Sequence, residues 1–221
     1  LLMNRRKFLE KTGLLAGGAL AVCGMVFQAM FRSPLATPYT LGVSSGAAFG
    51  AAVTILFGAG GAVAGVPLSS VGAFLGAGSA MAIVYGFSRL PQVSSTLTIL
   101  LAGVAVSFVF SSFLMFAQYL SDLRHSFAIV RWLMGGVDVY GYRPLLTMVP
   151  LLVIGLGAIA FRVPELDHLL TGDDLAATRG VDVGRIRAQL YFATSLAVSA
   201  VVAVCGPIGF VGLMAPHVCR M

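Results

Sequence analysis

Charge is scarce in this chain. Only 10% of its 221 residues are Asp, Glu, Lys or Arg, against roughly a quarter in soluble domains. Lysine is confined to Lys7 and Lys11, near the N-terminus. The three cysteines, Cys23, Cys205 and Cys219, show no CxxC or other ligand spacing, which argues against a disulfide framework or a cysteine metal site. They read as small apolar packing residues. No GxxxxGK[ST] run occurs, so this chain has no phosphate-cradling loop and is not itself an ATP-hydrolysing subunit. His125, His168 and His217 are isolated, with no second ligand at i+3 or i+4 to hold a metal. All eight acids fall outside the long apolar runs, so paired carboxylates at membrane depth, and with them an intramembrane enzyme, are not expected.

What is present is apolar surface. The chain is 58% hydrophobic with mean hydropathy +0.96. A soluble fold of this size has no room to bury that much, which places the chain in a bilayer. The net charge of +6 belongs to short loops facing lipid head groups rather than to a nucleic-acid surface. Runs long enough to cross about 30 Å of hydrocarbon are expected at 13–31, 41–66, 68–87, 97–120, 144–161 and 188–204, followed by a Gly/Pro-broken stretch to 216. The fold class is therefore an all-α, multi-pass helical bundle of about six to seven spans, one domain over 1–221. Small residues four apart, at Gly42, Gly46, Gly50 and at Gly72, Gly76, let helix backbones approach closely.

Two stretches break the pattern. Residues 121–143 mix Asp122, Arg124, His125, Arg131 and Trp132 with a short apolar run, and read as an interfacial or re-entrant helix. The loop 162–187 carries Arg162, Arg179, Arg185 and Arg187 and five of the eight acids. Within it, 172–180 has the marks of a short helix. Asp173 and Asp174 lie in its first turn, Arg179 in its last, and Gly180 follows at the C′ position. That element is either a solvated surface helix or a docking surface. If 162–187 is cytoplasmic, six crossings put 32–40 and 88–96 on the same side. Arg32, Arg89, Arg162, Arg179, Arg185 and Arg187 then face Arg124, Arg131 and Arg143 across the membrane, and the tail cations Arg5, Arg6, Lys7 and Lys11 cancel the bias.

Several runs, in order, resemble the FecCD type of ABC permease, which serves bacterial iron-siderophore, haem and cobalamin importers. Arg32-Ser33-Pro34-Leu35-Ala36-Thr37-Pro38-Tyr39-Thr40-Leu41-Gly42-Val43-Ser44-Ser45-Gly46-Ala47 is similar to the signature RNPLADPYLLGVSSGA, with Ser33 in place of Asn. Gly18 to Gly24 with Gln28, Leu100 to Ala105, and Trp132 to Gly136 match further family runs. Thr171-Gly172 through Ala176 to Gly180-Val181 matches the LGxxxAxxxGV pattern of the coupling loop. Gly206-Pro207-Ile208-Gly209-Phe210-Val211-Gly212-Leu213, then Pro216-His217 and Arg220, is close to GPIGFVGLxxPHxxR.

The resemblance implies part of a roughly ten-helix type II ABC importer permease, with a first helix and the last few missing here. It implies a multi-pass protein of the bacterial inner membrane that moves an iron chelate or cobalamin by alternating access. The implied partners are a separate ATPase that holds ATP and Mg, an extracytoplasmic binding protein and a second permease subunit, as a homodimer. No cofactor on this chain is implied. Gly172, Asp173, Asp174, Ala176, Arg179, Gly180 and Val181 would form the cytoplasmic coupling surface for the ATPase. Pro34, Pro38, Gly42, Gly46, Gly206, Pro207, Gly209, Gly212 and Pro216 would shape helix packing and the path.

Residues 3–22 also resemble a twin-arginine export signal, through Arg5, Arg6, Phe8 and Leu9. More membrane follows instead of a soluble domain, which favours a diverged start. Against the family's RLPR motif only Arg6 is retained, as a docking residue for the binding protein. The alternative reading is a non-transporting remnant of a permease, still inserted in the membrane.

Overall fold

The computed structural model describes residues 5–34, 36–57, 62–63, 66–88, 96–136, 143–180 and 182–219. Four of its helices are long and apolar enough to cross a membrane. They are Glu10–Phe31 within α1 (Arg5–Phe31), Leu68–Ser88 (here α3), Leu97–Leu120 within α4 (Thr96–Leu120) and Val183–Cys205 (α9). Helices α6 (Arg143–Ala160) and α7 (Val163–Thr171), which meet at 55°, pass the same test only when taken together, as one broken span or a re-entrant turn. The bundle is all-α and multi-pass, as the sequence indicates.

The second expected span takes a different form. Residues 41–66 do not make one crossing helix; α2 covers Val43–Leu56, 14 residues, or about 21 Å. The helix cannot begin earlier because Pro34 and Pro38 bring fixed φ and no N–H, and Gly42 sits at φ +86. The lead-in 36–42 is buried all the same, with Ala36 and Leu41 wholly covered. Polar backbone inside a bundle needs partners, and two threonines supply them. The backbone N–H groups of Thr37 and Thr40 each donate to the other's Oγ1, at 3.2 and 3.3 Å. The Thr40 hydroxyl donates to the Thr37 carbonyl at 2.7 Å. Beyond α2, Ala62–Val63 and Val66–Pro67 pair as a minimal antiparallel ladder before α3.

Helix α9 is the centre of the bundle. In its most apolar window 72% of residues are buried, against 22% for α4. It runs antiparallel to α1, with Phe27 and Tyr191 rings 5.9 Å apart and the Cys23 thiol against the Thr194 carbonyl. It runs antiparallel to α3, where the Tyr191 hydroxyl donates to the Met81 carbonyl at 3.2 Å. Helix α6 also opposes it, with Met148 near Val204 and Phe161 near Gln189. The C-terminal ends of α1, α3 and α6 and the N-terminal ends of α4 and α9 therefore share one end of the bundle. We call this the loop end, because α7 and α8 (Asp173–Thr178) also lie there.

Between apolar helices in lipid there is little hydrophobic gain, so contact area and close approach must hold the bundle. The crossing of α2 and α3 shows this. The Gly46 and Gly50 backbones lie against those of Gly76 and Gly72, and a Cβ at any of the four would collide with the opposite backbone. Buried Ala47, Ala51, Ala73, Ala77 and Ala80 extend the contact.

Candidate functional site

Two regions carry the sequence motifs. The first is a junction of broken helices. At the end of α9, Gly206 takes φ +71, and its amide still donates to the Val202 carbonyl at 2.9 Å. A Cβ there would lie 2.8 Å from the Gly135 Cα and 2.9 Å from the Trp132 carbonyl oxygen. Gly135 and Trp132 belong to the tail of α5 (Leu123–Leu133), whose Gly136 amide donates to the Cys205 carbonyl at 2.7 Å.

Two residues on, the Ile208 amide donates to the Tyr39 hydroxyl oxygen at 2.9 Å. Past the break, α10 (Val211–Cys219) places Gly212 against the Gly24 backbone of α1. Runs far apart in the sequence thus meet at one place. Pro38 and Gly42 lie on one side of it, Gly206, Pro207 and Gly209 on the other. Pro34 is exposed ahead of the lead-in, Gly46 belongs to the α2–α3 crossing, and Pro216 lies inside α10. Spacing alone gave no sign of the Tyr39 contact. A polar aromatic beside a proline in an otherwise apolar run was the available signal.

The second region is the elbow at the loop end. Helix α7 was not anticipated within 162–187; Pro164 in its first turn and the Arg162–Glu165 ion pair at 2.8 Å account for its start. Gly172, at φ +129, ends it, and α8 follows at once. Ala176 is fully buried, so this helix is fixed to the bundle by its inner face. Leu175 is 54% exposed, and Thr178, Arg179 and Gly180 are exposed beside it. Gly180 holds φ +80, the left-handed turn expected of a C′ glycine. Arg179 Nη1 lies 3.3 Å from His168 Nδ1, which ties the end of α8 back to α7. Asp173 and Asp174 lie in the α8 backbone. Their side chains, that of Arg6 and the whole of Val181 lie outside the described residues.

His125 is placed in the first turn of α5. Its amide and its Nδ1 both meet the Asp122 carboxylate, at 2.9 and 2.8 Å. The His125 backbone N–H, first of all, holds the Asp122 carboxyl below its ordinary range. Among the described residues no group of three or more His, Cys, Asp or Glu gathers in metal-binding range.

A model of the FecCD transport family matches residues 10–221. The chain belongs to that family. It is 37% identical over 225 residues to the ABC transporter permease protein YvrB of Bacillus subtilis, covering 100% of this chain and 63% of that one. It is 35% identical to the cobalamin import permease BtuC of Halobacterium salinarum, covering 95% and 55%. A molybdate import permease of Haemophilus influenzae and an Fe(3+)-citrate import permease of Bacillus subtilis match at 35% and 32%. A solved ABC transporter of the metal-chelate type, in an inward-facing conformation, superposes with TM-score 0.85 at 32% identity, over 95% of this chain and 66% of that one. The chain thus spans 55–63% of the length of YvrB and BtuC.

Proposed function

We propose that this chain is the membrane-spanning permease subunit of an ATP-driven importer of the bacterial cytoplasmic membrane. The family match over residues 10–221 carries this reading. The cargo class is a metal chelate or cobalamin, within which siderophore and haem complexes fall. Relatives named for cobalamin, Fe(3+)-citrate and molybdate import support a compact metal-bearing cargo and leave the particular one open. ATP and Mg belong to a separate ATPase, which docks on the outer face of α8 around Leu175, Arg179 and Gly180, with Gly172 and Ala176 setting its pose. The loop end is then cytoplasmic. The amino end of α1, with Arg6, lies at the opposite end and would meet the extracytoplasmic binding protein. The sparsely buried α4, exposing Leu101, Phe108 and Phe116, offers an uncovered apolar face for a second permease subunit. Alternating access is a switch between two packings of these helices, biased by the ATPase at one end and the binding protein at the other.

Leu175→Glu tests the docking surface. It puts a charge on an exposed face without touching the buried side of α8. We expect the ATPase to fail to co-purify while membrane insertion is unchanged; undiminished co-purification would overturn the assignment.

A further inference from the structure

At the end of the bundle away from the loop end, a cavity of about 210 Å³ lies between the first turns of α3, the first half of α6 and the last turns of α9. Phe74, Met148, Leu151, Ala200 and Ala203 are among its apolar walls. Ser70 is the one polar side chain among the residues that line it.

The cavity is graded with depth. Helix α3 has 21 residues, about 32 Å, close to the roughly 30 Å of hydrocarbon it has to cross, so its first turn stands at the edge of the acyl region. Ser70 lies about 3 Å inside the start of α3. Phe74 lies about 9 Å inside the same start, and Leu151 about 12 Å inside that of α6. The hydroxyl is therefore at the rim and the apolar walls are below it.

Ser70 is only 9% exposed. Serines further along these helices return their hydroxyls to carbonyls three or four residues back, as Ser79 does to Gly76 at 2.8 Å and Ser107 to Gly103 at 2.9 Å. In the first turn no helical carbonyl lies behind Ser70, and its hydroxyl takes part in no hydrogen bond among the described residues. A covered hydroxyl without a partner is costly. Water answers this poorly, because an ordered water needs two to four polar partners and the wall offers one such side chain. The volume, by contrast, exceeds the roughly 150 Å³ of a dry apolar cavity that takes up benzene.

We propose that this cavity holds one acyl chain of a glycerolipid from the leaflet opposite the loop end, its ester carbonyl accepting the Ser70 hydroxyl. The donor stands at the depth of the ester groups, and the first methylenes of the chain fill the space between Phe74, Leu151 and Ala203. A second copy of the chain, or any other apolar helix, would bring side chains to the walls but no free acceptor to Ser70, because helical carbonyls at membrane depth are already bonded.

Native mass spectrometry of the purified chain with two phosphatidylcholines of equal chain length, one ester-linked and one ether-linked, tests this. The chain should retain the ester lipid in preference, by roughly two- to tenfold, the worth of one neutral hydrogen bond. Ser70→Ala should erase that preference, and Ser70→Thr should keep it. Ala203→Leu, which projects more carbon into the void, should weaken retention of both lipids and raise the unfolding midpoint measured without lipid. Equal retention of the two lipids by the parent, or an unchanged preference in Ser70→Ala, would overturn the proposal. So would a change of oligomeric state in Ala203→Leu with lipid retention unaltered, which would mark the cavity as a contact between copies.

Discussion

The Tyr39 hydroxyl oxygen accepts the Ile208 amide at 2.9 Å, joining two interrupted helices whose residues lie 169 positions apart. Ile208 sits in the irregular stretch between α9 and α10, so its amide has no intrahelical acceptor to fall back on. Tyr39→Phe removes the acceptor and leaves the Ile208 N–H unpaired in a largely covered site. The expected cost is about 1–3 kcal/mol, read as a lowered unfolding midpoint of the purified protein. Tyr119→Phe, at a side chain 85% exposed, should leave the midpoint unchanged.

The α2–α3 crossing should resist any side chain. At Gly76 a Cβ would run into the Gly46 backbone, which has no flexible end to move aside. Gly76→Ala should therefore destabilise by at least the 1–3 kcal/mol typical of overpacking, an order-of-magnitude figure. Gly78→Ala on the same helix meets nothing within 4 Å and serves as the control. Comparable unfolding curves for the two variants would show that the helices are not held at this distance.

Gly180 isolates the backbone requirement at the elbow. Its φ of +80 penalises side chains, and nothing lies within 4 Å of a Cβ there. Gly180→Asn should bind the ATPase nearly as well as the parent, because Asn tolerates this region. Gly180→Val should bind poorly, with a conformational penalty of roughly 1–2 kcal/mol. A quantitative pull-down of the ATPase ranks the two.

Asp122 caps α5 through the His125 amide, and that bond lowers its carboxyl below the ordinary value of 3.8. A depressed folded value means the cap contributes fully above 3.8 and fades as pH falls through the folded value. The protection of the first-turn amides of α5, measured as exchange relative to the intrinsic rate at each pH, should fall on acidification into that range. Asp122→Ala should show fast exchange at neutral pH already, while Asp122→Asn, which keeps an acceptor, should not. Identical exchange in the alanine variant and the parent would sink this reading.

Much of this architecture was legible because lipid leaves so little choice. Apolar runs and their small-residue stripes marked α1, α3, α4, α6 and α9, and Asp173 to Gly180 announced α8 through its own end signals. Residues 32–40 read as a loop between two spans, turned by Pro34 and Pro38; what spacing did not give is that this loop is buried, which the reciprocal bonds of Thr37 and Thr40 allow by satisfying an irregular backbone inside the bundle. Helix α7 was hidden by its charge, since Arg162 and Glu165 read as loop until they are seen to pair. The junction of Tyr39, Gly135 and Gly206 is purely tertiary. Each motif was visible along the chain, but no spacing rule brings three distant runs together.

Helix α9 also has a mechanical property. It is 23 residues long, a straight rod of about 34 Å. Its foot stands next to α8, and its head is bonded through Cys205 to Gly136 and followed at once by the Gly206 break. A tilt of about 5° at the foot would carry the head sideways by roughly 3 Å over that length. That is about the length of the single hydrogen bond between Ile208 and Tyr39. A modest rocking of one end is therefore enough leverage to make or break a contact at the other, with no helix having to unwind in between.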